Sequence, residues 1–268
     1  MPKPQLLTLA LALFATTVCA AEPARFTPAD SEPDTTRYEL QVIHAKPGKL
    51  DALHAWFQAH QANVLARHGA TNIGYFTPDG ENPDRKLLCL LRFPSLEAVL
   101  KFSRAVKTDP LWKPFDTDLG QDNPEVLVEK VEIMHLRPTD FSPLFEPSQS
   151  TEPRVFELRT YNCPSPEMLA RLHDRFREHT MKLFAKHGME NLIYWQPLDG
   201  ETSDRQLVYL LAHKSQAAAK ASFAGFRADP AWIAAKKSSE EQAGGSLTNA
   251  QSGVVSEFYA PTAYSPLK

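Results

Sequence analysis

The chain is short of glycine: 11 residues in 268, half the number of its prolines. A glycine-rich phosphate cradle has little material here, and neither a dinucleotide fingerprint nor a G-x-S-x-G elbow occurs. ATP-dependent and serine-nucleophile chemistry are therefore disfavoured. There is no basic excess either. The 29 Lys+Arg stand against 32 Asp+Glu, a formal net charge of −3, which excludes the electrostatic footprint of a nucleic-acid binder. Cysteine is scarce, three in all, and no H-x-x-x-H or C-x-x-C pair marks a metal site.

Long apolar runs are absent except at the N-terminus. Residues 1–20, MPKPQLLTLALALFATTVCA, carry Lys3, an apolar run from Leu6 to Val18 and small residues before Ala21. That is the pattern of a secretory signal peptide, and the run is too short to span a bilayer. Val18 disfavours the alternative of lipid attachment at Cys19. Residues 21–36 are Pro-rich and polar, the composition of a flexible arm. The expected mature protein is exported, secreted or periplasmic, with no transmembrane segment. Its two remaining cysteines, Cys89 and Cys163, are either free thiols or a disulfide, and both readings stay open.

What the chain does have is an internal repeat. Leu53, His54, Phe57, His60, His68 and Gly69 recur 119 positions later as Leu172, His173, Phe176, His179, His187 and Gly188. Tyr38-Glu39-Leu40 recurs as Phe156-Glu157-Leu158, Asp109-Pro110-x-Trp112 as Asp229-Pro230-x-Trp232, and Ser142-Pro143-Leu144 as Ser265-Pro266-Leu267. The order is kept throughout, so the chain is a tandem duplication: repeat 1 over 37–145, a linker over 146–153 and repeat 2 over 154–268.

Each copy reads as βαββαβ, an α+β, ferredoxin-like unit. In repeat 1 the strands fall near 37–45, 71–78, 86–93 and 126–136. In repeat 2 one helix runs from Pro166 to His187, another covers about 215–226, and Asp229-Pro230 opens a short further helix with Trp232 as its anchor. His68 and His187 each precede a capping glycine, where an imidazole can meet the last helical carbonyls. The third strands, Leu87-Leu88-Cys89-Leu90-Leu91 and Leu207-Val208-Tyr209-Leu210-Leu211, are apolar at consecutive positions. Consecutive apolar residues require cover on both faces. Each copy has helices for one face only, so the two sheets are expected to pack on each other as an intrachain, pseudo-dimeric α/β barrel.

The YEL/FEL opening strands, Lys46-Pro47-Gly48-Lys49, the His-Gly helix ends, Gly-Tyr-Phe and Ile-Tyr-Trp, Asp-Pro-x-Trp and the Ser-Pro-Leu closures together resemble the NIPSNAP family of the dimeric α/β-barrel superfamily. Cys163-Pro164-Ser165-Pro166, where repeat 1 has Ala45-Lys46-Pro47-Gly48, departs from that pattern. The resemblance implies the barrel fold but brings no agreed catalytic residues. The wider superfamily includes cofactor-free monooxygenases and haem-binding proteins, which implies a small hydrophobic ligand between the sheets.

On the first strands, alternation separates Tyr38, Leu40 and Val42 from Glu39, Gln41 and Ile43, and Phe156, Leu158 and Thr160 from Glu157, Arg159 and Tyr161. The apolar sets are expected to face the helices. Glu39, Gln41, Glu157, Arg159 and Tyr161 would then face the barrel interior, with Trp195 as a pocket wall. Either they form a structural Glu–Arg network, or they form a site where a glutamate acts as base and Arg159 holds an anion. No cofactor is expected, a haem held by His44 and His135 being the lesser alternative. The leading function is binding of a small hydrophobic or anionic ligand in the barrel. A cofactor-independent oxygenase-like enzyme and a protein-interaction module are the alternatives, and a homo-oligomer or protein partner stays open.

Overall fold

The computed structural model describes residues 35–120 and 122–268. The expected signal peptide, Cys19 and the arm up to residue 34 lie outside the described residues. Repeat 1 comprises β1 (Arg37–Ala45), α1 (Leu50–Trp56), a π-helical turn (Phe57–Gln61), α2 (Ala62–Arg67), β2 (Thr71–Pro78), β3 (Lys86–Phe93), α3 (Leu96–Ala105) and β4 (Val128–Pro138). Repeat 2 comprises β5 (Val155–Asn162), α4 (Pro166–Arg175), a second π-helical turn (Phe176–Thr180), α5 (Met181–Lys186), β6 (Glu190–Pro197), β7 (Gln206–His213), α6 (Gln216–Ala228), α7 (Pro230–Ala243) and β8 (Val254–Pro261). The expected strands are present. The single helix expected over Pro166–His187 is instead interrupted by a π-turn, at the same place as in repeat 1.

The strands close into one antiparallel barrel in the order β1-β3-β2-β8-β5-β7-β6-β4. Two short seams join the halves: Phe76–Pro78 against Tyr259–Pro261, and Leu136–Pro138 against Trp195–Pro197. The doubly apolar third strands behave as two-sided cover demands. Leu88 and Leu90 point into the barrel, while Leu87, Cys89 and Leu91 pack under the helices of repeat 1. The interior is held across the halves by rings, with Tyr38 against Trp195 at 5.6 Å and Phe76 against Phe156 at 5.0 Å between centroids.

The closing motifs explain their own recurrence, because each docks on the other half. After β4, the Thr139 N–H donates to Tyr194 O at 2.9 Å, the Tyr194 N–H donates to Ser142 Oγ at 3.0 Å, and Phe141 packs on His173 and Phe176. After β8, the Thr262 N–H donates to Tyr75 O at 2.9 Å, the Tyr75 N–H donates to Ser265 Oγ at 3.0 Å, and the Tyr264 hydroxyl pairs with His54 Nδ1 at 2.7 Å. His54 and His173 are thus the seats of two exchanged straps. Burial there pushes the His173 imidazole down to about 4.

Gly69 and Gly188 end their helices at φ +77 in both cases, as expected for left-handed caps. Their histidine neighbours do something else, for the imidazoles reach a carboxylate rather than the helix carbonyls. Asp109 accepts from Arg67 Nη2 at 2.7 Å, pairs with His68 Nε2 at 3.0 Å and caps the Leu111 N–H. Asp229 accepts from Lys186 Nζ at 2.6 Å, pairs with His187 Nε2 at 2.8 Å and caps the Ala231 N–H. The Arg67 hydrogen bond above all holds Asp109 down at about 2. This latch ties the end of each first helix to the Asp-Pro-x-Trp turn, which is why both motifs recur. In repeat 2 that turn opens a helix of 14 residues, longer than the short one expected, closed at Gly244 in the left-handed conformation.

Gly74 sits at a bulge of β2, where an added Cβ would lie 2.4 Å from the Phe76 ring and 3.2 Å from Ser265 Oγ. Gly74→Ala is expected to cost about 1–3 kcal/mol by overpacking the barrel end. Gly245→Ala, which meets open space, is the neutral control. Paired thermal melts check both.

Candidate functional site

The polar sets of β1 and β5 face the helices, not the barrel interior, and this corrects the expectation from alternation. Tyr38, Leu40 and Leu158 belong to the interior cluster with Phe156 and Trp195, both 0% exposed. Both faces of these strands are buried, so apolarity does not separate them. The drier face, enclosed by two sheets, takes the apolar set, and the carboxylates go where helix edges and water lie within reach. A water-sized void would expose the side chains around it, and Phe76, Leu88, Leu90, Ile193, Val208 and Leu210 are all buried. The interior is filled.

In repeat 2 the strand pairing assembles a polar cluster under α4 and α6. Register sets Arg159 opposite Tyr209 on one side and Ser256 on the other. The Glu157 carboxylate accepts from Arg159 Nη1 and from Ser256 Oγ on Oε1, and pairs with His213 Nε2 at 2.9 Å on Oε2. Arg159 Nε donates to the Tyr209 hydroxyl at 2.9 Å, and its guanidinium stands 4.5 Å from the Phe223 ring. Tyr161 packs on Tyr209 and Phe176. Burial opposes ionisation of Glu157, but His213, Arg159 and Ser256 overcome it, so its pKa is held below the ordinary carboxylate value. Charge is paired and both carboxylate oxygens are bonded, which is how a structural network survives burial. His213 Nδ1 alone is left without a partner.

Repeat 1 keeps the glutamate but brings its histidine from another strand. Where His213 stands on β7, β3 has Phe93; His135 on β4 serves Glu39 instead, with Nε2 at 3.5 Å from Oε1. His135 Nδ1 also meets Asp199 of repeat 2 at 2.7 Å, so the imidazole bridges the halves beside a seam. The Glu39 hydrogen bond, with Asp199 behind it, pushes His135 up to about 9. Gln41 is buried on the same helix-facing side, opposite Cys89.

The six expected pocket residues therefore occupy three places. Glu157, Arg159 and Tyr161 share one cluster, Glu39 and Gln41 lie under the helices of repeat 1, and Trp195 is inside the barrel against Tyr38. The sequence does not point to His213, Tyr209, Ser256 and Asp199, and it offers His135 only as a haem ligand with His44, because only the strand register joins these residues to the glutamates. His44 pairs with Glu132 at 3.0 Å and lies five register positions from His135, roughly 16 Å along the strand, so the two imidazoles do not converge. Cys89 and Cys163 are free thiols in separate cores, which removes the disulfide. Among the described residues no three His, Cys, Asp or Glu side chains gather as a metal-ligand set, and no helix is long and apolar enough to cross a membrane.

One open feature lies outside the barrel. A groove of about 650 Å³ runs along α7, with Trp232 and the half-exposed Ile233 (54%) among its lining and Arg227, Lys236, Lys237, Glu240 and Glu241 around them. Trp232 packs on Phe226 at 4.3 Å between centroids and also lines the groove. Lys236 and Lys237 pair with Glu240 and Glu241 one helical turn on, exposed contacts of little energetic weight.

The sequence pattern of the NIPSNAP family matches twice, over residues 38–143 and 156–266. None of the curated proteins compared matches the chain. Among solved structures, a monooxygenase-like protein from Fusobacterium nucleatum subsp. nucleatum is similar over 85% of this chain and 92% of its own, at 8% identity and TM-score 0.54. A mutant chlorite dismutase from Candidatus Nitrospira defluvii, in complex with cyanide, is similar over 86% and 92%, at 7% identity and TM-score 0.51. A NIPSNAP family protein from Agrobacterium tumefaciens aligns over 41% of this chain and 98% of its own, at 26% identity and TM-score 0.34. At these identities the first two show the shared barrel fold.

The raised His135 value fixes a pH dependence. Its folded pKa of about 9 lies above the unfolded value near 6.5, so its contribution is complete below about pH 6.5 and lost as pH rises through 9. His135→Gln is expected to lower stability by about 1 kcal/mol at pH 6, after allowance for solvent screening, and by almost nothing at pH 10. Denaturant titrations at the two pH values check it.

Proposed function

Since the chain belongs to the NIPSNAP family, and its barrel interior is filled by side chains, we propose that it is an exported, non-catalytic binding protein. Its ligand is an amphipathic anion, an apolar body with a negative group, held in the groove along α7. The observation that carries this reading is the meeting of Trp232 and half-exposed Ile233 with the cations Arg227, Lys236 and Lys237 in one groove of about 650 Å³. A concave, mostly apolar site with a few charged groups is the usual form of a small-molecule site, and this volume falls in the usual range. An apolar ligand body would cover Ile233, and its carboxylate would meet Arg227 or take the place of Glu240 and Glu241 on Lys236 and Lys237. The N-terminal leader pattern supports export, and fractionation of the producing cell checks it, with the mature chain outside the cytoplasmic fraction as the expected result.

One observation favours a second reading. Glu157 orients His213 through Nε2 and leaves Nδ1 unpartnered, the arrangement of a carboxylate–imidazole acid–base pair. Oxygenase-like chemistry would run through that pair, in keeping with the monooxygenase-like fold neighbour. Glu157→Gln separates the roles: a structural network predicts a loss of about 3–5 kcal/mol in stability. Near-unchanged melting with lost oxygen uptake on a phenolic substrate would favour the enzyme instead.

The groove is tested with dodecanoate as probe, followed by tryptophan fluorescence. Saturable binding is expected, weakened about tenfold or more by Ile233→Glu with melting changed by less than about 0.5 kcal/mol, as for an exposed site. Absence of saturation, or equal binding by the variant, would overturn the reading.

A further inference from the structure

The two repeats differ at one buried position under the Asp-Pro-x-Trp turn. In repeat 1, Trp56 fills the space, packing on Phe115 at 4.6 Å and Trp112 at 6.0 Å and donating its indole N–H to Leu111 O at 3.1 Å. The matching residue of repeat 2 is Arg175, one before Phe176 as Trp56 is one before Phe57. Its side chain is only 5% exposed, and the guanidinium lies 5.1 Å from the Trp232 ring. Nη1 donates to Ser239 Oγ at 3.3 Å and stands 3.7 Å from Glu240 Oε1, while Nε has no hydrogen-bond partner. Five N–H donors on a buried cation are thus served by one long hydrogen bond and one loose ion pair, which is costly without a further acceptor.

Beside this guanidinium, between α4 and α7, is a cavity of about 100 Å³. Arg171, His179, Ser238, Ser239 and Gln242 line it together with Arg175. Two carboxylates also border it, but Asp174 is engaged by Arg177 Nη1 at 2.7 Å and Glu178 lies 3.7 Å from His179. Glu240 is drawn away by Lys236 Nζ at 2.6 Å. We propose that this cavity is a binding site for a small oxyanion, of the size class of phosphate or a short carboxylate. Arg175 supplies the buried charge and the free Nε–H, and the serines and Gln242 supply neutral donors. Arg171 adds long-range attraction from the rim. The site is separate from the groove on the other side of α7 and does not depend on the groove's ligand.

Thermal melts of the full mature chain in sodium phosphate test it, with sodium acetate as the carboxylate arm and sodium chloride at equal ionic strength as reference. Phosphate or acetate is expected to raise the midpoint saturably, by about 2–4 °C over chloride when in large excess over its dissociation constant. Arg175→Trp restores the filling residue of repeat 1 and is expected to abolish the shift. Arg175→Lys keeps charge without the fork and should weaken the response about tenfold or more. Lys220→Gln, an exposed charge on α6, should leave it unchanged, as should Ile233→Glu. A shift no larger than that of chloride in the native chain, one that survives in Arg175→Trp, or one whose half-saturation concentration is unchanged in Arg175→Lys, overturns the proposal.

Discussion

Everything in this protein depends on the contact between two four-stranded sheets that neither half can leave exposed. Each sheet has helices on one face and an apolar second face, and the only cover in the chain is the other sheet. Tyr38 against Trp195 and Phe76 against Phe156 are the ring contacts of that closure. Fully burying side chains of this size contributes about 1.5–3 kcal/mol each relative to exposure, whereas the two seams supply only three paired positions apiece. The barrel is therefore held by its interior more than by its inter-repeat hydrogen bonds. The exchanged straps add to it, for Ser142 and Ser265 each satisfy a backbone N–H of the opposite half.

The same closure decides where function can sit. The interior takes the apolar faces of the first strands, packed with Phe, Trp and Leu, and their polar residues lie in the helix layer. There the two halves have diverged. Glu39 and Glu157 are the same residue of the ancestral unit, yet one is served by His135 from β4, which also reaches Asp199 of the other half, and the other by His213 from β7. Likewise, Trp56 and Arg175 are equivalent, and the second has an adjoining cavity where the first fills its surroundings. Repeat 2, with its longer α7, carries both the groove and the cavity; repeat 1 is the more completely packed partner.

Much of the fold was legible because the duplication supplied its own alignment: strand positions, glycine caps and sheet-on-sheet packing all follow from matched residues. Which face of β1 and β5 turns inward was not. Alternation reports a difference between faces only when one of them is wet, and here both are buried. The partners of the glutamates were hidden for a different reason, since His213, His135 and Asp199 are joined to them by register and by closure, not by sequence spacing. The histidines before Gly69 and Gly188 read as ordinary helix caps because Asp109 and Asp229 lie about forty residues away in sequence. The α7 groove was obscured by composition, since AAKKSSEEQA offers no apolar stripe and Trp232 read as the anchor of a short helix. Its indole packs on the core and also lines the groove.

The central claim is that ligand meets this protein on the outside of repeat 2 while the barrel interior stays closed. Hydrogen-exchange mass spectrometry with and without dodecanoate tests that directly. The account predicts added protection confined to residues 227–246, with the amides of β1, β2 and β7 unchanged. Protection appearing instead on the strands that carry Tyr38, Phe76 and Val208, with α7 unaffected, would contradict it.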